Sequence, residues 1–364
     1  METLSLSAFS QEILDRSRLP LNGTLELTFR CNLKCGFCYR PGNADTSGPA
    51  ELDTAEIERI VREIADAGCL TLLLTGGEPL LRRDFNALYA LIRQQGIFVT
   101  LFTNGTLVNE AVADRLCEYP PKKVEVSLYG ATRATYERIT GIPGSHAACL
   151  RGIERLRSRN LPLVLKTTVS RGNVHELPEM AGFARQIGVD FKWDPMLDPR
   201  TDGGQEPCSH RLAPAQIVEL DRRDPERMAG FRRLCRRGPQ TVDRGLVYIC
   251  GAGEGSFHID PRGRMSPCSM TRYASYDLRR GTFAEGFYSH FPRLRAQRFA
   301  AGEVPPCAEC GLINLCTNCP GTAFLENGRL HKPSPFHCEV ARLRSREAES
   351  PPTMALSPGE VRAG

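Results

Sequence analysis

Three closely spaced cysteines give this sequence its first chemical signal. Cys31, Cys35 and Cys38 lie within eight residues, in a Cys-x3-Cys-x2-Cys arrangement that follows an apolar run. Three thiolates this close can bind three irons of a [4Fe–4S] cubane and leave the fourth iron open to an exogenous ligand. A structural zinc site normally needs four protein ligands, and no nearby His or Cys supplies the fourth. The spacing therefore favours an iron–sulfur cluster with an open iron.

A glycine pair followed by an acidic residue lies about 40 residues further along the chain. Gly76 and Gly77 precede Glu78 and Pro79, directly after the apolar run 70–74. Two glycines let the backbone approach a ligand closely, and a carboxylate can pair with an ammonium group. Alone, this tetrapeptide would indicate only a turn. Its position after the three-cysteine loop indicates a ligand site.

The last third of the chain holds a denser set of cysteines. The sequence has 15 cysteines, and those of the last third are Cys250, Cys268, Cys307, Cys310, Cys316, Cys319 and Cys338. The amino terminus has no basic region typical of a signal peptide and the chain is too long for a disulfide scaffold, so we interpret these thiols as metal ligands. Thiolates suit zinc as well as iron, which leaves one alternative to iron–sulfur clusters. It is a zinc knuckle of Cys307, Cys310, Cys316 and Cys319.

The elements that must position these residues alternate between apolar runs and amphipathic stretches. The predicted strands are 25–29, 70–74, 98–102, 124–128, 163–169 and 189–193. Between the first two strands, Asp53 and Glu56 predict a helix start and Gly68 predicts its end. This alternation is typical of parallel strands joined by covering helices. It predicts an α/β fold, a barrel or open parallel sheet, with the chemistry in the loops after the carboxyl ends of the strands.

Together, these motifs resemble the radical S-adenosylmethionine (SAM) superfamily with a carboxyl-terminal SPASM extension, over roughly residues 23 to 340. The resemblance implies a partial (β/α)6 barrel, similar to a TIM barrel, followed by a small cysteine-rich SPASM domain. In that family the three-cysteine loop binds a [4Fe–4S] cluster, and SAM chelates the open iron. One electron from the reduced cluster then splits SAM into methionine and a 5′-deoxyadenosyl radical, which takes a hydrogen atom from the substrate.

The same resemblance implies a set of SAM-binding positions. They are Phe37, Gly76, Gly77, Glu78, Pro79, Asn104 and Ser127. Phe37 would pack near the adenine, and the 76–79 segment would bind the methionine amino group. No catalytic acid or base is assigned, although Lys166, Lys192 and Asp194 lie at predicted strand ends.

The resemblance also implies two auxiliary [4Fe–4S] clusters. One would be held by Cys307, Cys310, Cys316 and Cys338, and the other would take three ligands from Cys250, Cys268 and Cys319. In the family pattern, three residues separate the two cysteines that correspond to Cys316 and Cys319. Here only two residues separate them. Two clusters need eight ligands and the motif supplies seven. We expect Cys235 to be the eighth, with Cys208 or an open iron as the alternatives.

The predicted organisation has five parts. They are a lead-in (1–22), a radical SAM core (23–199), a connector (200–240), a SPASM domain (241–345) and a disordered tail (346–364). In the connector, the arginines of 222–237 alternate with acids, which predicts a self-paired, solvated helix.

Composition narrows the function classes. The chain has 364 residues, of which 41% are hydrophobic and 24% charged, and this excludes intrinsic disorder. A net charge of +5 is too mild for a dedicated nucleic-acid binder. Its apolar runs are too short to span a bilayer, so we expect a cytoplasmic protein without a membrane partner.

We therefore predict a radical SAM/SPASM enzyme that uses SAM, one radical SAM [4Fe–4S] cluster and two auxiliary clusters. By resemblance, its substrate is a ribosomally made peptide or a protein side chain. A flavodoxin or ferredoxin type donor would supply electrons, and a separate leader-binding protein could present the peptide. The alternatives are a radical SAM enzyme that acts on a small molecule or tetrapyrrole side chain, and a non-catalytic iron–sulfur or zinc redox sensor.

Overall fold

The computed structural model describes residues 18–40, 50–236, 243, 245–300, 302–316 and 319–349. Its strands are β1 (Asn22–Glu26), β2 (Thr71–Thr75), β3 (Phe98–Thr103), β4 (Lys123–Ser127), β5 (Leu163–Thr168), β6 (Asp190–Asp194), β7 (Ser256–Ile259), β8 (Arg264–Ser266) and β9 (Tyr276–Asp277). Across the described residues these strands form one sheet in the order β6-β5-β4-β3-β2-β1-β7-β8-β9. Strands β1 to β6 pair in parallel, so the predicted α/β fold with a parallel sheet is confirmed.

Helices follow the strands of the sheet. They are α1 (Thr54–Asp66), α2 (Phe85–Gln94), α3 (Glu110–Glu118), α4 (Arg133–Thr140), α5 (Ser145–Arg157), α6 (Leu177–Gln186), α7 (Pro214–Arg222), α8 (Pro225–Arg236), α9 (Phe291–Arg295), α10 (Pro320–Asn327) and α11 (Pro335–Glu349). Among the helices of the described ranges, none is both long and apolar enough to cross a membrane.

Helix α1 shows how the local sequence builds this layer. The Asp53 side chain accepts a hydrogen bond from the Glu56 amide and Glu56 returns one to the Asp53 amide, which forms the predicted capping box. The buried face of the helix consists of Ile57, Ile60, Val61 and Ile64, which pack in the core. Each such side chain contributes roughly 1.5–3 kcal/mol on burial. The helix then ends just before Gly68, whose φ is +86°.

The first strand begins and ends earlier than predicted. We expected residues 25–29, but β1 ends at Glu26 because the chain after it pairs with the loop that follows β2. The Thr28 carbonyl accepts from the Gly77 amide at 2.7 Å, and the Arg30 carbonyl accepts from the Glu78 amide at 2.9 Å. The apolar run therefore continues into a loop-to-loop contact that holds the two predicted ligand segments together.

The cysteine-rich region contributes strands to the same sheet. Strand β7 pairs in parallel with β1, and β8 and β9 continue the sheet in antiparallel fashion. Gly263, with φ of +81°, lies in the turn between β7 and β8. We did not predict the pairing of β7 with β1, because a four-residue strand among cysteines and turns carries little periodic signal.

The connector and the carboxyl-terminal helix pack on each other through a buried charge. Asp221 on α7 is fully buried and receives hydrogen bonds from Arg227 on α8 and Arg344 on α11, both at 2.8 Å. The predicted self-pairing is confirmed by Arg227 and Asp221, whereas the prediction of a solvated helix is wrong for this buried face. Helix α11 runs to Glu349, so the first residues of the predicted tail are helical, and 350–364 lie outside the described residues.

Candidate active site

A cavity of about 810 Å³ lies within the strands and opens toward the cysteine-rich region. Its lining includes residues from each of the strands β1 to β7 and seven of the ten residues from Cys31 to Arg40. Cys268, from the carboxyl-terminal set, lies on the same wall. The cavity therefore joins the two cysteine groups that are far apart in the sequence.

The three-cysteine loop is fixed by backbone contacts at both ends. The Lys34 amide donates to the Thr140 carbonyl at the end of α4, at 2.8 Å, and the Cys38 amide donates to the Cys35 carbonyl at 3.1 Å. The buried guanidinium of Arg40 donates to the Phe29 carbonyl. Burial raises the pKa of the Cys31 thiol, and the nearby Arg40 opposes this effect. A cation is thus placed where bound thiolates would carry negative charge.

The glycine pair is required by close backbone packing. A Cβ added at Gly77 would lie 1.9 Å from the Arg30 carbonyl oxygen, and one added at Gly76 would lie 2.5 Å from the Thr28 carbonyl oxygen. Gly76 also has φ of +136°, which residues with a side chain rarely adopt. Both glycines line the cavity. Their backbone is therefore the surface that a ligand beside the three-cysteine loop would meet.

Glu78 ties two loops together and does not line the cavity. Its side chain is fully buried, and its two oxygens accept hydrogen bonds from the Thr103 hydroxyl and the Asn104 amide, each at 2.7 Å. The Leu80 amide donates to the same carboxylate at 3.2 Å. Burial raises the pKa of Glu78 to about 7, although these hydrogen bonds act against it. Pro79 is buried at the start of the short 3₁₀ segment Pro79–Leu81. Glu78 is therefore a positioning residue for the glycine loop.

The remaining predicted SAM-binding residues do line the cavity. Asn104 donates through its side-chain amide to Asn32 at 2.9 Å and lies 4.0 Å from the Cys31 sulfur. Phe37 packs edge-on against Tyr129, with 5.2 Å between ring centroids. Ser127 is the last residue of β4 and faces the same space. The structure thus brings the positions predicted on four separate segments to one cavity.

The carboxyl-terminal cysteines fall into two groups in space. Burial, with Cys338, Cys316 and Cys310 close by, raises the pKa of the Cys307 thiol to about 11. Burial, with Cys319 and Cys250 close by, raises the pKa of the Cys268 thiol. Cys319 therefore lies with Cys268 and not in the group of Cys307, where a four-cysteine zinc knuckle would need it. Within the described part of the chain, no three His, Cys, Asp or Glu side chains converge on a site for a single metal ion.

Neither predicted eighth ligand lies with the Cys268 group. Cys235 is on α8, and the charged neighbour that adds to the effect of burial on its thiol pKa is Glu349. Cys208 lies beside Gln205, whose side-chain oxygen is 3.7 Å from the sulfur, and near Arg211. The assignment of Cys235 accordingly has no support from these contacts.

A buried acid on the cavity wall was not predicted as a functional residue. Glu26 is 1% exposed, and its carboxylate receives a hydrogen bond from Arg272 at 2.7 Å and lies 3.2 Å from His258. Burial acts to raise the pKa of Glu26, but Arg272 and His258 lower it to about 2. The sequence feature that could have identified Glu26 is its place as a charged residue inside an otherwise apolar strand.

Sequence comparison gives a family match over the barrel. The Radical SAM superfamily profile matches residues 25–184. The chain is 32% identical over 310 residues to the PqqA peptide cyclase of Granulibacter bethesdensis, and this match covers 80% of this chain and 79% of that protein. It is 27% identical over 340 residues to the AdoMet-dependent heme synthase of Methanosarcina barkeri, which covers 85% of this chain and 94% of that protein.

Structural comparison gives the same fold over nearly the whole chain. The Streptococcus suis SuiB structure bound to precursor peptide SuiA has a TM-score of 0.68 at 16% identity, covering 92% of this chain and 79% of that one. The native anSMEcpe structure with bound AdoMet has a TM-score of 0.66 at 18% identity, covering 90% of this chain and 97% of that one. At these identities the likeness concerns the fold.

Proposed function

Because the chain belongs to the radical SAM superfamily, we propose that it cleaves SAM reductively and uses the resulting radical to take a hydrogen atom from a peptide. The family implies SAM and a [4Fe–4S] cluster as cofactors, and we assign Cys31, Cys35 and Cys38 as the cluster ligands. The observation that carries the proposal is the cavity that joins these cysteines to the glycine loop and to Cys268.

The residues present fit these cofactors. Three thiols of one loop face the cavity beside a buried arginine, which suits a cluster with thiolate ligands. The glycine pair next to them also lines the cavity and presents backbone to it, because packing on the Thr28 and Arg30 carbonyls leaves no room for side chains. Held by Cys31, Cys35 and Cys38, a reduced [4Fe–4S] cluster would supply the one electron that splits SAM into methionine and a 5′-deoxyadenosyl radical, with a low-potential donor consumed and 5′-deoxyadenosine formed once a substrate C–H bond gives up its hydrogen atom.

The chain's own residues orient SAM and shield the radical. In this proposal the backbone of Gly76 and Gly77 would bind the methionine amino group of SAM, while Glu78 fixes their loop to Asn104. Phe37, held against Tyr129, closes the space on the adenine side. Strands β1 to β7 contribute to the cavity wall, which would help to shield a reactive carbon radical from water.

A peptide substrate is supported by the relatives. Those that match over most of the chain include proteins named PqqA peptide cyclase, and the SuiB structure of the same fold holds a precursor peptide. We propose that this enzyme modifies a ribosomally made peptide or a protein side chain. A flavodoxin or ferredoxin type protein would supply the electron, and a separate protein could present a leader sequence.

Two auxiliary [4Fe–4S] clusters belong to this proposal. The Cys307 group, with Cys310, Cys316 and Cys338, provides four thiols for one cluster. Cys250, Cys268 and Cys319 provide three for the other, and Cys268 faces the cavity. A cluster at Cys268 would lie where it could accept an electron from a substrate radical. The Cys235 ligand remains a prediction without a supporting contact.

A second candidate function is the modification of a tetrapyrrole side chain. It is favoured by the relatives named AdoMet-dependent heme synthase, one of which is matched over 94% of its length. Both candidates need the same radical chemistry, so the substrate decides between them. The relatives are named as enzymes, which sets the non-catalytic redox sensor aside.

The test uses candidate substrates with deuterated C–H positions. The anaerobically reconstituted enzyme would be incubated with SAM, reductant and either the short peptides encoded beside its gene or a carboxylate-bearing tetrapyrrole. We expect a mass change in a peptide and transfer of deuterium into 5′-deoxyadenosine. Deuterium transfer from the tetrapyrrole alone would reject the peptide function and leave the second candidate. Product formed by the Cys31→Ala, Cys35→Ala, Cys38→Ala variant would reject the cluster assignment.

A further inference from the structure

Three charged side chains from adjacent strands meet on the cavity wall at β4, β5 and β6. Lys166 on β5 is the direct cross-strand partner of Lys192 on β6. The carboxylate of Glu125 on β4 contacts both, with its oxygens 2.9 Å from the Lys192 ammonium and 3.7 Å from the Lys166 ammonium. Both lysines line the cavity. Two cations therefore share one carboxylate.

The two lysines are not equally satisfied. Lys192 takes the shorter contact with Glu125, has Asp190 close by, and is 52% exposed to solvent. Lys166 is only 22% exposed, and the charged groups that face it are Glu125 and the like-charged Lys192. Its ammonium lies over the Phe102 ring, which offers no full counter-charge. Burial lowers the pKa of Lys166 to about 7 even though Glu125 acts against it.

A buried ammonium beside another ammonium is costly unless an anion completes the site. Glu125 takes its shorter contact with Lys192, which also has Asp190 close by, so the positive charge at Lys166 is the one left without a close counter-charge. A single ammonium matches a monoanion such as a carboxylate. We propose that Lys166 binds a carboxylate of the substrate inside the barrel. This inference rests on the proposed peptide function, and the carboxylate would come from an acidic side chain or from the peptide's carboxyl terminus.

The position of Lys166 places such a carboxylate next to the reacting centre. Lys166 is level with Ser127 in the parallel register of β4 and β5. Ser127 and the three-cysteine loop line the same cavity. On β1, the buried Glu26 is neutralised by Arg272, and within the described residues its Oε2 has no hydrogen-bond partner. A peptide anchored by a carboxylate at Lys166 could donate an N–H to Glu26 across the cavity.

The first test needs no known substrate. Lys166 in the reconstituted enzyme would be acetylated in short pulses and quantified by mass spectrometry in the presence of three capped amino acids. N-acetylglutamate N-methylamide offers a side-chain carboxylate, N-acetylalanine a terminal one, and N-acetylglutamine N-methylamide neither. We expect one carboxylate probe to slow the labelling of Lys166 several-fold and so to identify the source. Labelling of the exposed Lys122 should not change with any probe.

Two results would overturn the inference. Equal labelling of Lys166 with the acidic and the amide probes would show that no carboxylate binds there. Protection by SAM alone, with no further effect of the probes, would assign the site to the carboxylate of SAM instead.

The second test compares peptide substrates in the enzyme assay. For a modified peptide, replacing the anchoring carboxylate by an amide should raise KM about tenfold in wild type, because a site built for a charged group rejects the analogue that lacks it. Lys166→Gln should lose this discrimination, whereas Lys166→Arg and the control Lys122→Gln should keep it. Iron content and circular dichroism would show that each variant is folded and loaded.

The two tests separate failure of the inference from failure of the proposed function. Discrimination that survives unchanged in Lys166→Gln would reject the inference while peptide modification still stands. Protection of Lys166 by a carboxylate probe in an enzyme that modifies no peptide would reject the peptide function and keep the anion site.

Discussion

At the scale of single residues, close packing on neighbouring backbone requires glycine in the loop that holds Gly76 and Gly77. Gly77 packs directly on the Arg30 carbonyl, and its own amide donates to Thr28 at 2.7 Å. Glu78 then fixes the other side of the loop through Thr103 and Asn104. The glycine pair and the acid therefore work as one unit, in which backbone approach and loop position depend on each other.

Gly77→Ala should damage this unit. The new methyl group would collide with the Arg30 carbonyl, and relief of that overlap should cost about 1–3 kcal/mol of the free energy of unfolding and weaken SAM binding. The matched control is Gly182→Ala on α6, where a Cβ would have no atom within 4 Å and the helix should gain about 0.5–1 kcal/mol. Anaerobic urea denaturation and SAM titration check both. Equal effects of the two substitutions would contradict the packing argument.

Lys166 should also show an unusual dependence of its reactivity on pH. Burial lowers the pKa of its ammonium to about 7, so the nucleophilic free amine should form well below the range of an ordinary lysine. The acetylation rate of Lys166 should rise through about pH 7 and level off by about pH 8 to 9. The acetylation rate of an exposed lysine should still be rising with pH in that range. A Lys166 rate that climbs in parallel with that of exposed lysines would show that the ammonium is not buried.

At the scale of elements, strand ends and the loops after them are held by side chains that cap neighbouring segments. Glu176, which precedes α6, is buried and accepts hydrogen bonds from the amides of Ala131 and Thr132 and from the hydroxyls of Thr132 and Thr135. It thus holds the start of α4 against the loop after β5. Helix α4 in turn supports the three-cysteine loop, through the Thr140 carbonyl.

Glu176→Gln should therefore destabilise the barrel. Burial acts to raise the pKa of Glu176, but the four hydrogen bonds lower it to about 2. A lowered carboxyl pKa contributes stability that is complete above the unfolded value of about 4.5 and is lost as the pH falls toward 2. We expect Glu176→Gln to lower the free energy of unfolding by about 2 kcal/mol at pH 7. This difference from wild type should shrink as the pH falls below about 4.5. The exposed Glu179→Gln is the control, and a pH-independent difference from wild type would contradict the account.

The sequence predicted the elements whose signal is local. The capping box of α1 and the six parallel strands follow from residue types a few positions apart. The pairing of β7 with β1 joins segments more than 200 residues apart, and no local period encodes it. The same pairing brings His258 to Glu26, so their contact could not be predicted either. Among the motif residues that line the cavity, the three cysteines and the glycine pair were predicted from residue type and spacing, whereas Phe37, Asn104 and Ser127 were implied by the resemblance to radical SAM enzymes.

At the scale of the whole molecule, one cavity links a barrel to a cysteine-rich region. The Cys31 loop and Cys268 share this space, while the Cys307 group lies beyond it with Cys338 of α11. Helix α11 is locked to the connector by the buried pair of Arg344 and Asp221. The carboxyl-terminal region therefore does two things: it adds strands to the sheet and places thiols next to the active-site cavity.

The iron content of the reconstituted protein tests the proposed number of clusters. Three [4Fe–4S] clusters predict about 12 irons per chain, and Cys307→Ser with Cys310→Ser should remove about four of them. The triple variant of Cys31, Cys35 and Cys38 to Ala should also lose about four. Cys117→Ser changes an exposed cysteine on α3 and should lose none. A wild type with about four irons, or zinc in their place, would reject the auxiliary clusters.

The most direct test of the central claim is the formation of 5′-deoxyadenosine. The anaerobically reconstituted protein would be incubated with SAM, a strong reductant and the candidate substrates, and the nucleoside quantified by mass spectrometry. We predict that wild type forms 5′-deoxyadenosine and methionine in equal amounts and that the Cys31→Ala, Cys35→Ala, Cys38→Ala variant forms neither. Iron-loaded wild type that leaves SAM intact, or a variant that cleaves SAM as wild type does, would contradict the assignment of radical SAM chemistry to this cavity.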